Sequence, residues 1–209
     1  MEHQFEEIVA TRTRLREILG DPRGYAAFKS IDRIDSIFTR FIEASPYVLV
    51  ATRGADRLLD ISPKGDPAGF VKILDEKNLA IPERPGNQRY DTFENLLHDP
   101  AISLFFIIPG NTETLRVAGT AQIVRDPALQ ERMAINGKLP TVCIVVRVEE
   151  AFMHCAKSMV RSRLWTPEFW PDRSNVPTIA ESIKAHAKAT ESIDELQRRE
   201  ELMTVSRLY

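Results

Sequence analysis

The residues best suited to chemistry in this sequence are four polar side chains crowded into one turn, Arg84, Asn87, Gln88 and Arg89, within the stretch LAIPERPGNQRYDTFENLL at 79–97. A short apolar strand ends there in a Pro/Gly-rich turn, and a helix begins directly after it. Arginine presents a planar fork of donors that fits phosphate, the turn exposes backbone N–H groups, and the following helix offers its positive N-terminal end. In outline this is an anion site. The same residues also suit an exposed basic turn before a helix, and spacing alone does not choose between the two.

Three further segments place polar groups where they could assist. In DISPKGD at 60–66, Ser62 and Lys64 sit at a strand end beside a Gly turn, either as added donors to the same anion or as a solvated β-turn. In ETLRVAGTAQ at 113–122, alternation puts Thr114, Arg116, Ala118 and Thr120 on one strand face, opposite Leu115 and Val117. In FMHCAKSMVRSRLW at 152–165, a helix dense in Lys157, Arg161 and Arg163 ends in Trp165; an aromatic beside cations can border a flat ring or a phosphate, and cations at a helix C-terminus also complement its dipole. Other chemistries lack a motif. G-x-G-x-x-G, G-x-x-x-x-G-K-[ST], G-x-S-x-G and H-E-x-x-H are all missing, and the four histidines, His3, His98, His154 and His186, are scattered, so no metal is expected.

The elements that must position these groups follow from periodicity. Residues 3–19 and 32–44 repeat apolar side chains at helical spacing, the first stopped by Gly20-Asp21-Pro22 and the second by Ser45-Pro46. From Tyr47 the character changes to seven β-branched or aromatic runs, YVLVATR, RLLDIS, FVKIL, LAIP, ISLFFIIP, TLRVAGTAQIV and TVCIVVRVE, separated by turn residues such as Lys64-Gly65-Asp66-Pro67. Helical pieces at 91–97 and 126–135 interrupt them, and the chain returns to helix at 155–163 and again over 179–203. Seven short strands in this rhythm predict an antiparallel barrel or sandwich rather than a doubly wound sheet. The organisation expected is one domain over 1–209: a helical segment at 1–45, a barrel at 46–150 and a helical C-terminal segment at 151–209.

Composition bounds the rest. A chain of 209 residues, 43% hydrophobic, can bury one sizeable core. A formal net charge of -2 gives no overall field for nucleic acid or a membrane surface, so neither is expected as a partner. The first twenty residues begin acidic and lack an apolar leader core, and the longest apolar run, 101–109, is of strand length, so a cytoplasmic protein is expected. Cys143 and Cys155 are too few for a disulfide framework and are read as buried thiols.

Taken in order, SPKGD, GFV, IPERPGNQR, TLRVAGTA and CAKSMVRSRLW resemble a family of FMN-dependent proteins related to pyridoxamine 5'-phosphate oxidase, over roughly residues 30–175. The resemblance implies an α+β fold, mainly β with helices: an FMN-binding split β-barrel with N- and C-terminal helices, working as a homodimer with the flavin between subunits. It also implies that the phosphate-gripping loop falls on Arg84 to Arg89, with Arg89 as basic ligand, Asn87 as small polar one and Gln88 between them. Ile81 and Pro82 would offer backbone groups to the ring, Ser62 and Lys64 match the preceding strand, and Arg161, Arg163 and Trp165 match a C-terminal piece that approaches the flavin. The family's Ser-Arg-Lys triplet is here Asn87-Gln88-Arg89, and its substrate-phosphate residues have no match. The function implied is an FMN-dependent oxidoreductase acting on a small-molecule redox substrate; a non-catalytic flavin-binding or stress-type protein, and a deazaflavin- or haem-binding barrel, are the alternatives.

Overall fold

The computed structural model describes residues 5–206 and 208–209, the side chains of Ala26 and Ala27 excepted. The chain divides into two units, one ending at Ser30 and one spanning Ile31–Tyr209. In the first, α1 covers only Arg12–Leu19, because Thr11 takes the N-cap position and its side chain accepts the Arg14 N–H. Of the helix expected over 3–19, residues 3 and 4 lie outside the described residues, and Phe5, Ile8 and Val9 precede α1 rather than belonging to it. No residue of α1 is buried.

The second unit holds the barrel. Helix α2 (Ser36–Ala44) starts at Asp35, whose carboxylate accepts the N–H groups of Ile37 and Phe38, four residues later than periodicity predicts. Seven strands follow, β1 (Tyr47–Arg53), β2 (Leu59–Gly65), β3 (Lys72–Asp75), β4 (Asn78–Pro82), β5 (Ala101–Ile107), β6 (Thr114–Val124) and β7 (Cys143–His154). They form one sheet in the order β2-β1-β5-β6-β7-β4-β3, every neighbouring pair antiparallel. This is the α+β split barrel expected. Helices α3 (Asp91–His98) and α4 (Pro127–Arg132) interrupt the strands, and α5 (Lys157–Ser162), α6 (Ile179–His186) and α7 (Ile193–Ser206) follow them.

Strand alternation decides what the sheet encloses. Val48 and Val50 of β1, Ile102, Leu104 and Phe106 of β5, Leu115 and Val117 of β6, and Ile144, Val146 and Val148 of β7 all point inward against Phe38, Phe41 and Ile42 of α2. At about 1.5–3 kcal/mol for each large side chain removed from water, this cluster dominates the stability of the unit. β4 is covered on both faces. Leu79 and Ile81 enter the main core, whereas Ala80 packs with Leu129, Met133 and Cys143 in a second cluster behind it, which is why LAIP reads as an unbroken apolar run.

β7 continues to His154, past the end of the expected strand, because a bulge at Glu149 shifts the pairing between Ala118 and Gly119 and resets which residues face the core. Gly119 makes the bulge possible: a Cβ there would stand 1.9 Å from the Arg147 carbonyl oxygen. The helix expected at 155–163 is accordingly shorter, and Phe152, Met153 and His154 belong to the strand. Cys143 is buried as expected, but Cys155 is exposed, since it lies just after the sheet ends.

Candidate functional site

A cleft of about 560 Å³ opens beside β2 and the segment joining β4 to α3. The two sides come from distant parts of the sheet. β2 pairs with β1 so that Ser62 stands opposite Val50 and Lys64 opposite Val48. Cross-strand partners share a face, so both side chains lie on the inner face, at the rim of the core. The turn expected at Lys64-Gly65 is strand instead, because both residues pair with β1, and the chain leaves the sheet only at Asp66.

The other side is the loop 83–90. Glu83 donates its N–H to the Val142 carbonyl, extending the β4–β7 ladder by one step before the chain turns away at Arg84-Pro85-Gly86. The Asn87 side chain accepts the Arg89 N–H at 3.1 Å, a local Asx-type turn, and Gln88 and Tyr90 take left-handed backbone conformations at φ 58° and 60°. Those two residues aim the chain into α3. Tyr90 supplies no side-chain cap; its carbonyl accepts from Phe93 and Glu94, so the amides of Asp91 and Thr92, at the mouth of the cleft, have no acceptor within the helix. An uncapped helix N-terminus is positive and suits an anion.

Three cations face this cleft in different states. Arg89 is exposed and paired with Asp91 at 2.6 Å, a pair that holds its guanidinium pKa above the usual value. Lys64 stands with its ammonium 5.6 Å from the centroid of the Phe93 ring, and burial lowers its pKa while Glu83 opposes the shift. Arg84 is the most enclosed, its side chain 16% exposed: Nε donates to Asp66 at 2.7 Å and Nη2 to the Met133 carbonyl at 2.8 Å, with Asp66 itself 1% exposed. Glu83 and Asp91 line the same cleft and reduce its net positive charge to one.

Around the cleft, Thr92 Oγ1 donates to Ser62 Oγ at 2.9 Å, and Asn95 donates to Thr52 at 3.1 Å and to Asp60 at 2.6 Å. These bonds fix α3 against β1 and β2 and hold the two walls in register. Of the residues singled out from sequence, the fold thus gathers Ser62, Lys64, Pro82, Arg84, Asn87, Gln88 and Arg89 around one space. Sequence reasoning passed over Thr92, Phe93 and Thr141, which also line it. For Thr92 a signal existed, since it follows the basic turn by three residues at the start of a helix.

Five other residues stand elsewhere. The Ile81 side chain is buried in the main core. Arg116 lies on the outer face of β6, ion-paired with Glu150 and stacked 4.4 Å from the Phe152 ring centroid, in the polar alternation expected. Trp165 donates Nε1 to the Asn111 carbonyl at 2.8 Å, Arg163 stacks on Phe169 at 3.9 Å, and Arg161 is exposed in the last turn of α5. None of these lines the cleft of its own chain. Among the described residues, no group of three or more His, Cys, Asp or Glu could hold a metal ion, and no helix is long and apolar enough to cross a membrane.

Comparison with known proteins adds the following. A family model described as pyridoxamine 5'-phosphate oxidase matches residues 35–155, which takes in α2, all seven strands and both walls of the cleft. No curated protein matches the chain. Among solved structures, HupZ of Group A Streptococcus is 22% identical, with 57% of this chain and 93% of that one covered at a TM-score of 0.47. A Clostridium acetobutylicum protein related to general stress protein 26 is 20% identical, with 56% and 84% covered at a TM-score of 0.41.

Proposed function

The chain belongs to the pyridoxamine 5'-phosphate oxidase family, and on that footing we propose that its cleft binds FMN and that the protein is an FMN-dependent oxidoreductase acting as a homodimer on a small-molecule redox substrate. One observation carries the proposal: Lys64, Arg84 and Arg89 meet the uncapped N-terminus of α3 in a single cleft. A phosphomonoester holds close to two negative charges at neutral pH, and these cations together with the helix N-terminus offer it charge-assisted donors on several sides. The volume, about 560 Å³, falls within the range of cofactor pockets, and Pro82 is among the residues that line it.

FMN supplies the hydride and electron chemistry. The protein's part is to grip and orient. Arg89, now paired with Asp91, would turn to the phosphate, Lys64 would gain a counter-ion for a poorly solvated charge, and Arg84, held by Asp66 and the Met133 carbonyl, would offer its remaining nitrogen. Pro82, at the end of a strand buried on both faces, lines the cleft and would offer a rigid edge to the ring, with Ile81 behind it in the core.

The dimer is supported by the outer face of the sheet. Leu59 and Ile61 of edge strand β2 are 76% and 63% exposed, and Tyr47, Leu49 and Phe105 continue the same face across β1 and β5. Two copies joined there would cover an apolar surface and an open strand edge at once. Arg116, Arg161, Arg163 and Trp165, which stand clear of their own cleft, would in such a dimer be available to the flavin of the second copy.

The test is the ligand released by heat from protein supplied with riboflavin-derived cofactors, identified by mass spectrometry. Stoichiometric FMN is expected. FAD in its place, or no uptake of added FMN, overturns the assignment. Anaerobic mixing of the loaded protein with NADH, NADPH or pyridoxamine phosphate, following flavin bleaching, then separates an enzyme from a flavin carrier: saturable bleaching by one donor is expected.

A further inference from the structure

The cleft's most enclosed cation is held from behind. Asp66 directs one carboxylate oxygen to Arg84 Nε at 2.7 Å, and its other oxygen accepts the Tyr209 hydroxyl, also at 2.7 Å, across 143 residues of sequence. Tyr209 is anchored a second time, because Lys138 Nζ donates to its backbone oxygen at 2.6 Å. Lys138 closes a tight turn with Ile135 through reciprocal backbone bonds of 3.0 and 2.8 Å, with Asn136 and Gly137 in left-handed conformations at its tip. Met133, two residues before that turn, accepts the Arg84 Nη2 bond. The result is a closed circuit: Arg84 to Asp66, Asp66 to Tyr209, Tyr209 to Lys138, and back through Met133 to Arg84.

We propose that Tyr209 is a positioning residue for the phosphate-binding loop, acting through Asp66 on the Arg84 guanidinium. A carboxylate with a single partner can rotate and take the guanidinium with it. Bonded on both oxygens, Asp66 has one orientation, and Arg84, fixed at Nε and Nη2, points its remaining nitrogen in one direction. Among the described residues, loop 83–90 is otherwise tied by the Glu83 amide, one Asx-type turn, an exposed ion pair and the Tyr90 carbonyl at the start of α3. Arg84 is therefore the anchor that sets the loop's distance from β2. Asp66 raises the phenol's pKa above the usual tyrosine value, mainly through the hydrogen bond itself, so the donor stays protonated through the neutral range.

The inference rests on the cleft being an FMN-phosphate site, and the test separates the two. Tyr209→Phe removes only the hydroxyl. In the 209-residue protein it is expected to weaken FMN binding roughly three- to tenfold, to move the ³¹P resonance of the bound 5'-phosphate, and to speed amide exchange in residues 83–90 of the FMN-free protein while β5 and β6 stay protected. In an Asp66→Asn background the same substitution is expected to add nothing further, because the link it acts through is already broken. Equal affinity, phosphate resonance and exchange in Tyr209→Phe and parent overturn the proposal. So does a full additive loss in the Asp66→Asn background, which marks Tyr209 as acting on the fold at large. If the parent takes up no FMN, the phosphate reading falls, and the exchange measurement alone upholds or overturns the circuit.

Discussion

Lys64 carries opposite consequences for the empty and the loaded protein, and replacing it by methionine exposes both. Its stem lies at the rim of the core and its ammonium faces the Phe93 ring, so the charge has lost much of its hydration; burial lowers its pKa from the ordinary 10.5, with Glu83 opposing. Methionine keeps the stem and drops the charge. The lost cation–π contact is worth about 0.5–1 kcal/mol, and the relieved desolvation is of similar size and opposite sign, so the unfolding free energy of the FMN-free variant is expected within about 1 kcal/mol of the parent. Ligand binding moves much further. Removing one charge-assisted bond to a phosphate costs about 1.5–3 kcal/mol, or roughly ten- to 150-fold in FMN affinity.

The pH dependence follows from the same shift. Between the lowered folded-state pKa and 10.5, the unfolded chain binds more protons at this site than the folded one, so the Lys64 contribution makes the FMN-free parent gain stability as pH rises through that window. FMN affinity falls over the same window, because the phosphate prefers the protonated amine. Both slopes are expected to vanish in Lys64→Met. Urea unfolding and flavin-fluorescence titrations from neutrality to about pH 10 measure them. An FMN affinity within twofold of the parent, or a collapse in the urea midpoint, refutes the placement of Lys64 against the phosphate.

Three further outcomes are expected. Arg89→Ala, at an exposed position, leaves the unfolding midpoint unchanged but weakens FMN roughly ten- to hundredfold; calorimetric titration shows it, and an unaltered affinity beside a large loss in Arg84→Ala would move the main phosphate contact one turn of the loop back. Gly119→Ala drives a Cβ into the Arg147 carbonyl, 1.9 Å away, and is expected to destabilise the barrel by about 1–3 kcal/mol in urea, or more if the bulge is lost. Leu59→Glu with Ile61→Glu places charge on the exposed face of β2 and is expected to yield monomers by light scattering, whereas an unchanged dimer would place the interface elsewhere.

Much of the barrel was legible because its strands alternate cleanly. YVLVATR and TLRVAGTAQIV coincide with β1 and β6 residue for residue, each with one apolar face. Misreadings occur where local chemistry points one way and pairing the other. Lys64-Gly65 has turn composition but pairs with β1, and EAFMH, just past the bulge at Glu149, lost its alternation and so did not read as strand. The basic loop was visible as a cluster of polar residue types. What each of its arginines does was not, since the partner that fixes Arg84 is Asp66, placed by sequence in a turn, and the partner of Asp66 is 143 residues away. Cys155 looked like a core thiol by residue type alone, and only the end of β7 shows why it is exposed.

The strand order gives the cleft a further property. β2 is one margin of the sheet, and β4 is the penultimate strand before the other, yet both border the same space. The cleft is therefore a seam: its two walls come from opposite ends of the sheet, and it exists only where the sheet curls to bring them together. On the proposed function, a phosphate ligand bridging the margins would act as a clasp where, among the described residues, no backbone ladder joins β2 to β4. Its binding energy opposes reopening directly, contributing about 2.7 kcal/mol at a ligand concentration a hundred times its dissociation constant.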